Sequence, residues 1–470
     1  MSTVKLIGLD FGTTTSSAVI ASAELMHNAV TGRRQVSRLH ECYRSEMVFT
    51  PFGDEGLDET RLEEHLDTWL AAARVRANEL FGGGALVTGL AARQRNADVV
   101  ARLVHRRLGD ALLATADDPR LEAWLAFQAS AADLSRKHPD RWFVNLDIGG
   151  GTTNIALGKN GEVVETGCLF VGARHVQVEP GSYRVVKLSS VARQLFDHLG
   201  IALDRGNSLK QAELDAVLDF YMNLLHGAVA SAREVFQDPI ARLHEQIPFH
   251  LPAGIQEPIV TLSGGVGELV YRRLAGAALP STTYFGDVGI DVARRLLNQA
   301  HWQADFQTYV PAHGGRATVY GLLRHATQIS GSTLFLADPA ILPLNNMPIL
   351  GRITQACTDD RLRDILGLAR ASAKGGCVRV DIKDADATNL AAFGVRLAGA
   401  LQAVHYPATQ PLVLMVKENI GKTLGHYVTQ WGALPLKLVV LDEIAIPDAQ
   451  FVQIGAVRDD VVPVSFHGMN

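Results

Sequence analysis

One pattern occurs twice in this chain and limits what it can fold into. The apolar run Val4 to Leu9 ends at Asp10, turns through Gly12-Thr13-Thr14-Thr15 and returns as Ala18 to Ala21. Far downstream, Trp142 to Leu146 ends at Asp147, turns through Gly149-Gly150-Gly151-Thr152-Thr153 and returns as Ile155 to Gly158. Each copy reads as two strands around a Gly/Thr turn, a β-hairpin. The copies correspond position by position, so we expect two related domains that each supply one loop. A chain of 470 residues has room for both and for a further unit.

These residue types point to phosphate chemistry. A triphosphate needs backbone N–H donors close to its oxygens, an approach that only small residues permit. Thr hydroxyls add donors with little bulk. A carboxylate at the strand end holds Mg, usually through water, because Mg keeps much of its hydration shell. Asp10 and Asp147, with their Gly/Thr turns, supply these parts twice. A single copy reads equally well as a tight turn. Two copies with Asp in the same place favour one shared Mg-nucleotide site.

A third glycine loop, Ser263-Gly264-Gly265-Val266-Gly267-Glu268, joins the strand Pro258 to Leu262 to a helix expected from Glu268 to Leu274. Gly264, Gly265, Gly267 and Glu268 are the expected adenosine contacts, with a plain strand-to-helix turn as the alternative. Elsewhere, Thr60 to Leu80 reads as a helix stopped by Gly82-Gly83-Gly84, and Ala85 to Thr88 as a short strand. Helices are expected over Asp98 to Leu108, Pro119 to Ser135 and Ser208 to His244, and a strand leading into a helix over Arg316 to Ile329. Val378 to Ile382, Pro411 to Val416 and Leu436 to Leu441 read as buried strands, with a helix at Thr388 to His405, a βαβ-like arrangement.

Other classes are set aside on composition and motif. The 44 basic and 49 acidic residues give a net charge of -5, so no nucleic-acid surface is expected. Basic Arg102 to Arg107 is read as a solvated helix face. The N-terminus lacks a signal-peptide pattern, and no apolar run reaches the ~18 residues a membrane span needs. A cytoplasmic protein without membrane contact is the expectation. Cys42, Cys168, Cys357 and Cys377 lie far apart and read as reduced thiols. Gly421-Lys422-Thr423 fails as a P-loop because the required earlier glycine is Val416. His244-Glu245 is no zincin site, with Pro248 in place of the second histidine. Lone histidines such as His105, His175 and His426 read as surface or packed residues.

The two Asp/Gly/Thr loops and the Ser263 to Glu268 loop together resemble the actin, heat-shock-chaperone and sugar-kinase superfamily. That resemblance implies an α/β protein with an actin-like ATPase fold. Two related ribonuclease-H-like domains, 1–140 and 141–334, would be followed by a C-terminal α/β extension, 335–470. More narrowly, the chain is similar to the EutA family, the reactivating factors of ethanolamine ammonia-lyase. The segments carrying this likeness are Val87-Thr-Gly89, Arg95-Asn-Ala97, Phe285-Gly-Asp-Val-Gly289, Arg316-Ala-Thr-Val319, Ser330-Gly-Ser-Thr333 and Pro343-Leu-Asn-Asn-Met-Pro348. They cover most of residues 1–350; beyond that, only scattered pieces such as Asn419-Ile-Gly-Lys422 match.

The narrower resemblance implies an ATP-dependent chaperone. It would open the lyase, release damaged cobalamin and admit intact adenosylcobalamin. ATP and Mg would be its cofactors and ethanolamine ammonia-lyase its partner. Asp10 and Asp147 would be the catalytic, Mg-positioning carboxylates. A homodimer, and association with an ethanolamine-utilisation microcompartment, stay open. One departure stands out: Leu90 follows Thr88-Gly89 where the family has an acidic residue, which leaves open how ATP is hydrolysed. A small-molecule kinase and an actin-like filament protein are the alternatives on this fold. The sequence has no base placed as in a sugar kinase, which favours the chaperone-like ATPase.

Overall fold

Both repeated segments fold as hairpins, and each hairpin seeds a sheet in which four strands follow the same order. The computed structural model describes residues 2–12, 15–27, 34–53, 56–87, 98–108, 112–116, 119–255, 257–311, 316–323, 328–330, 333–372, 374–444, 449–457 and 461–469. In the first sheet β1 (Ser2–Phe11) runs antiparallel to β2 (Thr15–His27), and β2 antiparallel to β3 (Arg34–Arg44). On its other side β1 runs parallel to β4 (Leu80–Val87), and β4 parallel to β5 (Leu112–Ala116).

The second sheet repeats this plan. β6 (Phe143–Ile148) runs antiparallel to β7 (Thr153–Lys159), and β7 antiparallel to β8 (Glu162–Leu169), whose outer edge carries the short β9 (Glu245–Ile247). β6 is parallel to β10 (Ile259–Ser263). All six residues of β6 are buried, as in a central strand covered on both faces.

Several local expectations are corrected by tertiary packing. Gly82-Gly83-Gly84 does not stop a helix but lies inside β4, and the preceding helix, Glu59–Ala73, ends at Arg74 in a left-handed conformation. Gly83 has φ +151°, and a Cβ there would sit 1.8 Å from the Ile7 carbonyl oxygen. At Arg316 to Ile329 the order is reversed: Ala317–Gly321 is a helix and Gln328–Ile329 a strand. Val319 and Tyr320 favour strands by propensity, but here they pack on the glycine-lined face of β1 and β4. The helix from Pro119 ends at Ser130 and a second, Ala132–Lys137, follows. The helical stretch near 208–244 resolves into Gln211–Val229 and Pro239–Leu243, parted where Ser231 takes φ 56°.

Beyond residue 335 the chain builds a third, mixed sheet. Leu344–Thr354, Gly376–Asp381, Pro411–Val416 and Lys437–Leu441 run parallel in sequence order. Helices Asp359–Ala371, Ala387–Ala403 and Gly421–Val428 form the crossovers, and their Leu362, Phe393 and Leu424 share one core with Val378, Leu414 and Val440. The hairpin Ala449–Ile454 and Pro463–Met469 extends the sheet past Leu344–Thr354. Among the described residues no helix is long and apolar enough to cross a membrane.

Candidate functional site

The two hairpins match in register as well as in composition. Asp10 lies opposite Ser17 in the β1–β2 pair, and Asp147 opposite Asn154 in the β6–β7 pair. Each turn is closed by the same bond: Gly12 N–H donates to the Thr15 carbonyl at 3.0 Å, and Gly149 N–H to the Thr152 carbonyl at 2.9 Å. Both hairpins open onto one cleft. The first contributes Asp10, Gly12, Thr15 and Ser17 to its wall. The second contributes Asp147, Gly149, Gly150, Gly151, Thr152 and Asn154.

The third loop completes the wall with Gly264, Gly265 and Glu268. Its helix starts earlier than expected, at Gly264, so the glycines form the first turn and bring N-terminal amide donors to the cleft. Gly264 has φ +75°, and a Cβ there would lie 2.6 Å from the Ile148 carbonyl oxygen; the turn is pressed against β6. Two expected contacts fall behind the wall. Thr153 is fully buried, and its hydroxyl donates to the Val171 carbonyl at 2.8 Å, because strand alternation turns it inward. A Cβ at Gly267 would lie 3.0 Å from the Leu262 carbonyl carbon, so the glycine allows close helix–strand contact. Thr13, Thr14 and Leu90 lie outside the described residues.

Asp147 is held by a buried polar network. Ser263 Oγ donates to its Oδ1 at 2.6 Å, and Asn145 Nδ2 donates to Ser263 Oγ at 2.8 Å. Thr261 Oγ1 donates to Asn145 Oδ1 at 3.0 Å, and Ser130 Oγ lies 3.1 Å from the same oxygen. Burial pushes the Asp147 carboxyl up to about 6, opposed by the Ser263 hydrogen bond.

Two further carboxylates line the cleft. Glu122, in the first turn of the helix Pro119–Ser130, is buried, and its Oε2 accepts from Asn154 Nδ2 at 2.8 Å. Asn154 Oδ1 is buried without a hydrogen-bond partner among the described residues. Asp287 accepts from Gly289 N–H at 2.9 Å; burial raises its pKa while the Arg174 guanidinium opposes the shift. Nothing local marks Glu122 in the sequence, since it reads as one more helix residue. Asp287 does carry a signal, as part of Phe285-Gly-Asp-Val-Gly289.

This donor set fits Mg. Asp10, Glu122, Asp147 and the unpartnered Asn154 oxygen are hard oxygen donors of the kind Mg takes. Among the described residues no three His, Cys, Asp or Glu side chains come close enough to hold a metal directly. A Mg ion here would therefore take most of its ligands from water and phosphate.

Two hairpin-led sheets with four strands in the same order, each presenting an Asp and a Gly/Thr turn to a shared cleft, define an actin-like ATPase fold. Within that class the chain belongs to the EutA family: the family model for the ethanolamine utilisation protein EutA matches residues 2–469. Proteins named ethanolamine ammonia-lyase reactivase EutA, from Salmonella typhimurium (strain LT2) and Escherichia coli (strain K12), are 31% and 30% identical over 480 residues. Each alignment covers 98% of this chain and 97% of the relative. Among solved structures, the Aquifex aeolicus PPX-GPPA enzyme is 13% identical, with a TM-score of 0.40 over 68% of this chain and 99% of that one. The ethanolamine utilization protein EutJ from Carboxydothermus hydrogenoformans is 16% identical, with a TM-score of 0.31 over 68% of this chain and 89% of that one.

Proposed function

We propose that this protein uses Mg-ATP to reactivate ethanolamine ammonia-lyase, the activity for which its curated relatives are named, by exchanging damaged cobalamin for intact adenosylcobalamin. The observation that carries the nucleotide part is the pair of hairpins in one register, with Asp10 and Asp147 on a common cleft. Residues 1–140 and 141–334 would act as the two lobes, with 335–470 as an extension. A bound Mg would neutralise phosphate charge. Asp10 and Asp147 orient its waters, and the amides of Gly150, Gly151 and Thr152 donate to phosphate oxygens. Gly264, Gly265 and Glu268 take the adenosine, with Leu269 and Phe285 as apolar wall beside it.

Glu122 and Asn154 give hydrolysis a base. Asn154 Oδ1 and Glu122 Oε2 accept the two protons of one water, and Glu122 takes up the proton lost as that water bonds to the γ-phosphorus and the bond to the departing ADP oxygen breaks. That role would not need an acidic residue at position 90. Nucleotide held between two lobes favours a closed arrangement, and a lyase that binds open and closed forms unequally is then driven between two states. The protein would act on its lyase as a homodimer, in the cytoplasm and in association with an ethanolamine-utilisation microcompartment.

The test is recovery of the lyase after inactivation with hydroxocobalamin, with adenosylcobalamin present and ATP, ADP or a non-hydrolysable analogue added. Recovery sustained by ATP alone is expected, and equal recovery without nucleotide would contradict the proposal. A stoichiometric phosphorylated alcohol would favour the kinase, and ATP-dependent light scattering the filament protein.

A further inference from the structure

We infer that His175 is a positioning residue that aims the amides of the second phosphate turn into the cleft, an inference that rests on the nucleotide reading above. Three successive carbonyls of that turn are pinned from behind by one segment. Ala173 N–H donates to Gly149 O at 3.1 Å, Arg174 N–H to Gly150 O at 2.6 Å, and His175 Nε2 to Gly151 O at 2.7 Å. In a trans peptide the C=O of one residue and the N–H of the next point in opposite directions. Fixing the carbonyls of Gly149, Gly150 and Gly151 on the far side therefore turns the amides of Gly150, Gly151 and Thr152 the other way. Those are the residues that line the cleft.

The backing segment is built for this contact. Gly172 lets it lie against the turn, for a Cβ there would meet the Gly150 carbonyl oxygen at 2.5 Å. His175 is fully buried, and its own orientation is fixed. Gly151 O can only accept, so Nε2 carries the hydrogen. In the neutral ring Nδ1 then accepts from the Ser189 hydroxyl at 2.7 Å, whose oxygen accepts from Ala192 N–H at 3.0 Å at the start of the helix Ser190–His198. Two of the three pins are backbone and survive any substitution. The third is a side chain, which makes its contribution separable.

The test measures competition by adenosine, Mg-ADP and Mg-ATP on the full chain, together with the unfolding midpoint. His175→Phe keeps the ring that packs near Tyr221, with centroids 6.5 Å apart, but loses the donor. It should weaken ATP and ADP by about tenfold while adenosine stays within about twofold, as loss of one oriented hydrogen bond predicts. His175→Gln, which restores a donor, should recover most of the loss. Ser189→Ala frees the ring and also uncaps the helix Ser190–His198, a loss of stability that the unfolding midpoint reads separately; it should show the same split at about threefold and carries the test if His175→Phe does not fold. Unchanged ATP affinity in His175→Phe, or equal losses for adenosine and ATP, would overturn the assignment. Wild-type protein that binds none of the three would fail the nucleotide reading itself and this inference with it.

Discussion

The two sheets share the order of four strands and the hairpin register but are joined to the rest of the molecule by different means. Two residues before Asp10 stands Gly8, paired with Gly84 of β4. At the equivalent place before Asp147 stands Asn145, paired with Thr261 of β10. The glycine pair admits a helix: a Cβ at Gly8 would be 2.7 Å from Val319 Cγ1, and one at Gly84 would be 2.5 Å from Leu322 Cδ2. The Asn–Thr pair is instead bonded to Ser263 and approached by Ser130. The helices on the two sheets meet each other, where a Cβ at Gly321 would lie 2.4 Å from the Leu125 carbonyl oxygen. One sheet is thus fixed by shape and the other by polar bonding. The second ties its Asp into a buried network and sets Glu122 beside its hairpin.

That asymmetry can be broken at several points. If hydrolysis belongs to the second hairpin, Glu122→Gln should lower ATP turnover by about 10²–10⁴-fold with Mg-ATP affinity within about threefold. Steady-state kinetics checks this, and unchanged turnover would return the base to another residue. If the first sheet is fixed by shape, Gly83→Ala should cost about 3 kcal/mol or more in urea unfolding, because a Cβ meets backbone and the left-handed φ is strained. Gly265, with nothing within 4 Å, should accept alanine at under about 1 kcal/mol. In the second sheet Asn145→Ala should cost about 2 kcal/mol, since Ser263 and Thr261 each lose a buried partner.

A further effect is a pH dependence. Asp147 has a folded pKa of about 6, above its unfolded value, so its protonated form favours folding. That contribution is complete below about pH 4 and is lost as pH rises through about 6. Metal-free Asp147→Asn should therefore gain stability over wild type at pH 8, and the gain should fade toward pH 5. A difference that does not change with pH would show that Asp147 does not titrate there.

Much of this arrangement was legible in the sequence because hairpins and strand-end carboxylates are local features. Asp10, Asp147, their turns and the loop at Gly264 needed only alternation and glycine placement to be found. The parallel strands beyond residue 376 stood out as apolar runs. Leu344–Thr354 did not, because its two asparagines and Pro348 mask it. The glycines at 82–84 misled because a run of glycine ends helices by local rules, whereas here a neighbouring strand and helix demand it. Glu122 was hidden because only the fold brings it beside Asn154. Thr153 shows the converse: the motif marks it as a phosphate donor, and strand alternation turns it inward.

If carboxylates from separate sheets grip one metal-bound nucleotide, a double-mutant cycle on Mg-ATP affinity will show the two acting as a unit. Calorimetry on Asp10→Asn, Asp147→Asn and the double variant should show each single losing about 30-fold or more, and the double little worse than either. Losses that multiply in the double variant, or wild-type affinity in either single, would contradict a shared grip.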